Sequence, residues 1–332
     1  MNATLARETP VSWQSVVAPY KQGNAFTALG HLAAGLAILA ACWAAMAAAY
    51  DMPYGRWWGL LLSAPAGMML VKLFSVQHDA GHGALFNQAW ANTLIGRLLS
   101  PLVMTPYTQW AREHAKHHAT SGQLNSGGIG DVDTWTLREY QAAGPWKRLG
   151  YRILRHPLFL FGPGATGYFL IKQRFVWYQP ERRDSWLSVW STNLAMAAMI
   201  GLGCWALGTA RFFWLWLPSA AFGSGFGTWI FYIGHQFPNT YWEKEADWDF
   251  YEASMKGASF YKVGALMDFA TCNIGFHHIH HLCSRIPFYN LPRCLKENKL
   301  FQVKPLGILE SLPCAWLALW DEDRRRLISF PS

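Results

Sequence analysis

Four apolar runs, each long enough to cross a lipid bilayer, constrain the fold of this chain more than any other feature of its sequence. About 20 apolar residues span the hydrocarbon core as a helix, the form in which a run within lipid satisfies its own backbone hydrogen bonds. Charged residues make up 14% of the chain, whereas soluble domains carry about 25%. The sequence therefore predicts an all-α integral membrane protein with four transmembrane helices, in runs that begin near residues 26, 57, 186 and 211.

Short links within the first and second pairs of runs group the spans into two helical hairpins. Of the 28 Lys and Arg residues, all but Arg56, Lys72 and Arg211 lie outside the hairpins. Because basic residues concentrate on the cytoplasmic side, both termini and the middle segment are predicted to be cytoplasmic. The net charge of +8 matches contact with anionic lipids and needs no nucleic acid. The predicted units are an N-terminal arm (1–24), a first hairpin (25–76), a cytoplasmic segment with interfacial helices (77–185), a second hairpin (186–234) and a histidine-rich helical cap (235–332).

Ten of the 12 histidines gather in four clusters, all on the predicted cytoplasmic side. Histidines three or four positions apart share one face of a helix, so a cluster can present several imidazoles in one direction. Imidazole binds iron, zinc, copper and nickel. The isolated His31 and His156 are interpreted as ordinary polar residues. Nine histidines are predicted to bind metal: His78 and His82 in "HDAGH", His114, His117 and His118 in "HAKHH", His235 in "YIGHQF", and His277, His280 and His281 in "HHIHH".

Nine ligands exceed the need of one ion, since a structural zinc site closes with four, and two ions are therefore predicted. The Glu-x-x-His pairs of ferritin-like di-iron bundles are absent from the sequence. Carboxylates near the clusters are instead predicted to hydrogen-bond ligand imidazoles and so fix their tautomers. The residues given this outer role are Asp79, Glu113 and Asp268, and His278 is predicted to be outer or structural because it lies at the edge of its cluster.

The four clusters together resemble the histidine boxes of the membrane-bound fatty acid desaturase family. The similarity extends to "IGDVDTWTLREY" after the second box, "RHPLFLFG" before the second hairpin and "NIGFHHIHHLCSRIPFYNLPRC" around the third. It covers roughly residues 50–300, and "HLCSRIPFYNL" is similar to the acyl-lipid, omega-6-type branch. The resemblance implies that the nine histidines hold two iron ions. It implies an enzyme that uses O2 and two electrons to introduce a carbon–carbon double bond into an acyl chain.

The resemblance leaves the carrier of the acyl chain open among a lipid, acyl-CoA and acyl carrier protein. No fused electron-transfer domain is visible, so a separate ferredoxin-like or cytochrome b5-like donor is expected on the basic cytoplasmic surface. Asn273, one turn before His277, is either a water-mediated iron ligand or a helix-cap or polar core residue. The segment "PLFLFGPGATGYFLI", with Gly164 and Gly167, is either part of an acyl channel or a membrane anchor. The expected location is the bacterial cytoplasmic membrane.

Other functions share parts of this pattern. Enzymes with the same boxes hydroxylate or epoxidise acyl chains or form triple bonds, and alkane and carotenoid oxygenases are related alternatives. A metal transporter or sensor is the alternative outside enzymes. Transport sites lie near the bilayer midplane, whereas the boxes lie at or beyond the ends of the predicted spans. The sequence therefore favours the desaturase.

Overall fold

The computed structural model describes residues 12–124 and 130–331, and this part of the chain is mostly helical. Three helical stretches in it are long and apolar enough to cross a membrane: 25–49, 55–81 and 183–207. The fourth predicted run also forms one long helix, which contains Pro218 and several glycines, and it is not among these three. In chain order the α-helices are α1 (Trp13–Val17), α2 (Ala25–Ala49), α3 (Gly55–Leu61), α4 (Ser63–Gly81), α5 (Ala89–Leu99), α6 (Tyr107–Thr120), α7 (Leu137–Ala142), α8 (Pro145–Arg155), α9 (Pro157–Phe159), α10 (Ala165–Leu170), α11 (Arg183–Leu207), α12 (Thr209–His235), α13 (Phe250–Gly257), α14 (Ala265–Ala270), α15 (His277–Leu282), α16 (Leu291–Glu297) and α17 (Ile308–Ser311).

Helix α4 is the centre of the helix bundle and packs against α2 and α12. Its contact with α12 is a backbone contact, because a Cβ atom added to Gly67 would lie 2.7 Å from the backbone nitrogen of Gly223. Small residues allow membrane helices to approach this closely. On the other side, Trp43 of α2 donates an indole hydrogen bond to Ser219 of α12 at 3.2 Å. This packing places the C-terminal ends of α4 and α12 at the same end of the helix bundle. The first box and His235 therefore lie at that end.

Helix α6 is set beside α4 by the segment that follows α5. The Gln77 amide of α4 donates to the Gly96 and Thr105 carbonyls at 2.8 and 3.2 Å. The Tyr107 hydroxyl, at the start of α6, donates to the Ala80 carbonyl at 2.8 Å. Because these bonds join the start of α6 to the end of α4, the second box faces the first.

Short strands occur in the middle segment and in the cap, in addition to the helices that were predicted there. The strands are β1 (Trp135–Thr136), β2 (Tyr261–Lys262), β3 (Leu306–Gly307), β4 (Leu319–Asp321) and β5 (Arg326–Ile328). Strand β4 pairs in parallel with β1 and antiparallel with β5, while β2 and β3 pair in parallel. Buried Arg155 donates to the Asp133 and Leu317 carbonyls and to Gln236, directly after His235. These hydrogen bonds of Arg155, together with the pairing of β1 and β4, join the chain after the second box to the end of α12.

Short 3-10 turns and one π-helical turn connect several of these elements. The π turn follows α9 and contains Gly162, whose backbone is not helical, and Pro163. Proline removes a backbone donor, which accounts for the break in the helix. The 3-10 turns are Ala18–Tyr20, Lys172–Arg174, Glu245–Asp247, Phe288–Asn290, Lys299–Phe301 and Leu312–Trp316, and the π turn is Leu160–Gly164.

Candidate metal centre

All nine histidines predicted as ligands converge at one place, where they form two groups. Within each group, one ligand atom of every member lies within 4.8 Å of those of the others. The structure therefore offers two neighbouring places for a metal ion. The five-histidine group contains His78, His82, His114, His118 and His280, and the four-histidine group contains His117, His235, His277 and His281.

Helical spacing explains how the boxes are divided between the groups. His114 and His118 are four residues apart on α6 and belong to the five-histidine group, whereas His117 is turned towards the other. Helix α15 does the reverse: His277 and His281, again four apart, belong to the four-histidine group, and His280 to the other. Two helices therefore serve both groups, which accounts for the closeness of the two sites.

The spacing of the nitrogens matches ligands of a metal ion. His277 Nε2 lies 2.9 Å from His235 Nε2 and 3.1 Å from His281 Nε2, and His235 Nε2 lies 3.2 Å from His117 Nε2. Neutral imidazole carries one N–H, so such a run of Nε2 contacts cannot be made of hydrogen bonds alone. A metal ion about 2.1 Å from each of two nitrogens at right angles would hold them about 3.0 Å apart. The donor set fits a bound metal.

The same spacing occurs in the five-histidine group. His118 Nε2 lies 3.1 Å from the Nε2 atoms of both His114 and His280. His82 Nε2 is buried and has no hydrogen-bond partner within residues 12–124 and 130–331. A buried polar atom without a partner is costly, and a metal ion would satisfy it.

Burial keeps these imidazoles in the form that binds metal. Desolvation and then the neighbouring imidazoles lower the pKa of His117, His277 and His281 well below the usual value. The pKa values of His114 and His280 are lowered for the same reasons. Neutral imidazole is the ligand form. Seven of the nine residues are fully buried, while His82 and His118 keep some exposure to solvent.

Groups behind the ligands hold some of the rings in place. His235 Nδ1 lies 3.1 Å from the Gly257 carbonyl oxygen, so Nδ1–H donates there and Nε2 is left for the metal. His78 Nδ1 lies 3.2 Å from Asp79 Oδ1. The other Asp79 oxygen accepts from the Phe288 backbone nitrogen at 2.6 Å. Asp79 thus lies between His78 and the Phe288 backbone.

The sequence interpretation missed Asp131. One Asp131 oxygen lies 3.8 Å from His117 Nδ1, close enough for electrostatic attraction but too long for a hydrogen bond. Burial raises the pKa of this carboxyl, and nearby His235 opposes that effect. Asp131 lies in "IGDVD", 13 residues after the last histidine of the second box. The closeness of this acidic motif to the second box in the sequence could have suggested Asp131. The sequence does not show which histidine it would contact.

The other residues predicted to lie behind the ligands face elsewhere. The Glu113 carboxyl lies near Tyr168 and Lys172, and burial raises its pKa to about 7. His278 belongs to neither group, and its Nε2 lies 3.1 Å from the Phe301 carbonyl oxygen. The Asn273 amide donates to the Phe288 carbonyl at 3.2 Å. Asp268 lies on α14, and no hydrogen bond from its side chain to a ligand imidazole is found in the described part of the chain.

The apolar segment 157–171 packs against α12. The Phe161 ring contacts the Tyr232 ring with centroids 5.3 Å apart. The two glycines predicted there differ, because a Cβ atom on Gly164 would lie 2.8 Å from the Phe159 carbonyl oxygen, whereas one on Gly167 would meet nothing within 4 Å. Gly164 is therefore closely packed, whereas Gly167 has open space beside it.

Aromatic rings connect this segment with the metal centre. The Phe169 ring lies 6.1 Å from that of Phe74, which lies 5.2 Å from Trp110. Trp110 stacks on His114 at 4.6 Å. One side of the five-histidine group is therefore apolar and aromatic.

Comparison with known proteins agrees with this site. A "Fatty acid desaturase" from Bacillus subtilis is 35% identical over 272 residues, 82% of this chain and 77% of that protein. An "sn-1 acyl-lipid omega-3 desaturase (ferredoxin)" from Nostoc is 28% identical over 272 residues, 77% of this chain and 70% of its own length. An "sn-1 oleoyl-lipid 12-desaturase" from Synechocystis is 27% identical over 240 residues, 70% of this chain and 66% of its own length.

The residues matched by a family model include both histidine groups. A family model described as fatty acid desaturase matches residues 55–304, a range that contains all nine histidines of the two groups. The resemblance inferred from the boxes is confirmed, and similarity to a 12-desaturase of oleoyl lipids is consistent with the omega-6-type branch. This chain belongs to the fatty acid desaturase family.

Proposed function

We propose that this protein uses O2 and two iron ions, held by its nine histidines, to introduce a double bond into the acyl chain of a membrane lipid. Membership of the family makes it an oxidoreductase of fatty acids. The observation that carries the finer proposal is the division of nine buried or half-buried imidazoles into two adjacent groups. Structural zinc sites use four ligands and often include cysteine. Neither histidine group contains a cysteine.

Two iron ions bound there would supply the redox chemistry with O2. For each double bond formed, two hydrogen atoms leave the acyl chain, two electrons and two protons enter from outside, and O2 leaves as two waters. The chain's own contribution is to hold the site and its tautomers. Gly257 fixes the His235 ring through Nδ1, and Asp79 lies against His78. Fixed rings reduce the reorganisation that a change in metal charge would require.

The aromatic side of the site would exclude water from the reaction. Trp110 lies against both His78 and His114, with ring centroids 5.7 and 4.6 Å away. Phe231 lies 5.3 Å from His117 in the other group. A C–H bond of an acyl chain has no polar handle, so apolar walls are suited to bind it. Such walls also limit side reactions with water.

A lipid substrate and a ferredoxin-type donor are supported by the printed names of two relatives. One is called an acyl-lipid desaturase "(ferredoxin)" and the other an oleoyl-lipid desaturase. The site lies at the end of α4, where a membrane helix meets the cap. An acyl chain dissolved in the bilayer could reach it without leaving the membrane. The same proposal makes α9–α10 a candidate wall of the acyl channel.

Four spans with both termini in the cytoplasm are part of this proposal. Helix α12 follows α11 after Gly208 alone and is 27 residues long, which supports a second hairpin. The proposed host membrane is the bacterial cytoplasmic membrane. The basic residues would lie on its inner side. In intact cells an impermeant thiol reagent should label Met52→Cys, while Lys116→Cys should react only after lysis. Labelling of Lys116→Cys from outside would contradict this orientation.

Lipid profiling of an expression host tests the reaction itself. Cells that express the protein should contain acyl chains with a new double bond, and cells that express His281→Ala should not. Hydroxylated, epoxidised or triple-bonded chains would favour one of the related chemistries of the same boxes. Unchanged lipids in cells that hold folded, iron-loaded protein and a reduced ferredoxin would contradict the proposal.

A further inference from the structure

Four cationic side chains form an exposed basic face beside the metal centre. They are contributed by the N-terminal segment, by the chain after the third box and by α16. Arg293 lies with its guanidinium 5.7 Å from the Tyr20 ring centroid and donates to Glu297 at 2.9 Å. The Tyr20 hydroxyl donates to the same carboxylate at 2.7 Å. We call this surface, made of Lys21, Arg285, Arg293 and Lys296, the basic face.

The basic face has an excess of positive charge. Glu297 is the carboxylate at its centre, and it is paired with Arg293. Lys21, Arg285 and Lys296 make no ion pair with any residue of the described ranges. Unpaired surface charges of one sign attract oppositely charged partners and speed their association.

The basic face lies next to the ligands that reach the surface. A Cβ atom added to Gly83 would lie 3.3 Å from the Arg285 guanidinium, and Gly83 directly follows His82. Asn290, five residues after Arg285, donates to the Tyr20 carbonyl, directly before Lys21, at 2.9 Å. His82 and His118 are the two ligand residues that keep some exposure. A partner bound here would therefore lie beside the five-histidine group.

We propose that the basic face is the docking site of the electron donor, an acidic one-electron carrier of the ferredoxin type. The proposal rests on the proposed function, which needs two electrons from outside for each double bond. Each docking would oxidise one reduced iron–sulfur cluster and reduce the metal centre by one electron, so two carriers are used per turnover. Close approach is required because electron transfer slows steeply with distance.

An anionic membrane surface is the competing occupant, because Lys21 lies four residues before α2. Helix α16, which carries Arg293 and Lys296, has no exposed large apolar side chain of the kind that a lipid-binding helix presents. Helix α8 does have that combination, with exposed Trp146 and Leu154 beside Lys147. The partly exposed His82 and His118 and the unpaired charges of the basic face favour a protein partner.

The test compares two variants that lose the same charge. Lys21→Gln/Arg285→Gln/Lys296→Gln removes three cations of the basic face and keeps the Arg293–Glu297 pair. The control, Lys147→Gln/Lys244→Gln/Lys262→Gln, removes three exposed lysines elsewhere. The full chain is placed in nanodiscs of phosphatidylcholine alone and mixed with an acidic [2Fe–2S] ferredoxin.

We expect the second-order rate of oxidation of reduced ferredoxin to fall on the order of tenfold or more at low salt in the basic-face variant, with a weaker dependence on salt. Binding of oxidised ferredoxin to the metal-free protein should weaken in parallel. Iron content, and reduction of the centre by dithionite, should match the control.

Three results would overturn the proposal. The first is equal rates in the two variants. The second is an effect of the basic-face variant that appears only when anionic phosphatidylglycerol is present, which would assign the surface to lipid headgroups. The third is a loss of dithionite reduction, which would place the defect in the metal centre. A wild-type protein that oxidises ferredoxin without forming double bonds would instead contradict the proposed function and leave the docking site standing.

Discussion

Removal of one ligand should affect the two histidine groups differently, because one has five members and the other four. His281→Ala leaves three imidazoles in the four-histidine group, whereas His118→Ala leaves four in the other. Four-ligand zinc sites bind with about 10–16 kcal/mol, or about 2.5–4 kcal/mol per ligand. Loss of one ligand should then weaken binding about 10²–10³-fold. We expect His281→Ala to lose about one ion per chain, and His118→Ala to lose turnover while keeping more of its metal.

The assay is elemental analysis of purified protein equilibrated at a fixed concentration of free iron, together with circular dichroism to check the fold. His156→Ala is the control, since this exposed histidine caps α9 by accepting from the Leu158 nitrogen at 3.3 Å and contacts the Trp316 ring, and it belongs to neither histidine group. It should keep the full metal content. If His281→Ala binds both ions as tightly as the control does, the four-histidine group is not a metal site and the division into two groups has no chemical meaning.

Three further substitutions test other parts of the structure. Asp131→Asn removes the charge behind His117 and should weaken metal binding at the four-histidine group by about 10–100-fold, as measured by titration with iron. Gly67→Leu should lower the melting temperature in detergent because its side chain would enter the backbone of α12, at a cost of about 1–3 kcal/mol or more; Gly201→Leu, on an open face of α11, should leave it unchanged. Gly167→Leu should change the position or chain length of oxidation at constant iron content, and an unchanged product pattern in the folded variant would remove this segment from the channel.

The gathering of the nine histidines could be predicted because their spacing obeys local rules. On a single helix, the spacing of His114, His117 and His118 fixes their relative directions whatever else the chain does. The end of an apolar run also places His78 at a membrane surface without knowledge of the fold. Local geometry was therefore enough to select the nine histidines that the structure brings together. It could not divide them into groups of five and four, because that division depends on how α6 and α15 face each other.

Residues behind the ligands were harder to predict, because adjacency in sequence is a poor guide to them. Glu113 directly precedes His114, but one residue along a helix is a turn of about 100°, and its carboxyl faces Tyr168 instead. Asp131 is 13 residues beyond His118 in an irregular segment and yet lies against His117. Loops have no periodicity from which such a contact could be read.

Lys72 and His31 show the same difficulty inside the membrane-spanning helices. In the sequence, one is a charge within an apolar run and the other an isolated polar residue. In the structure the buried Lys72 amine lies 3.0 Å from His31 Nδ1 and donates to the Phe269 carbonyl at 2.7 Å. A buried amine without partners would be costly, so these contacts explain how a lysine is tolerated there. They also join α2 and α4 to α14, just before the turn that leads into the third box. Polar residues within the spans therefore help to hold the third box against the first, a role that hydropathy alone cannot reveal.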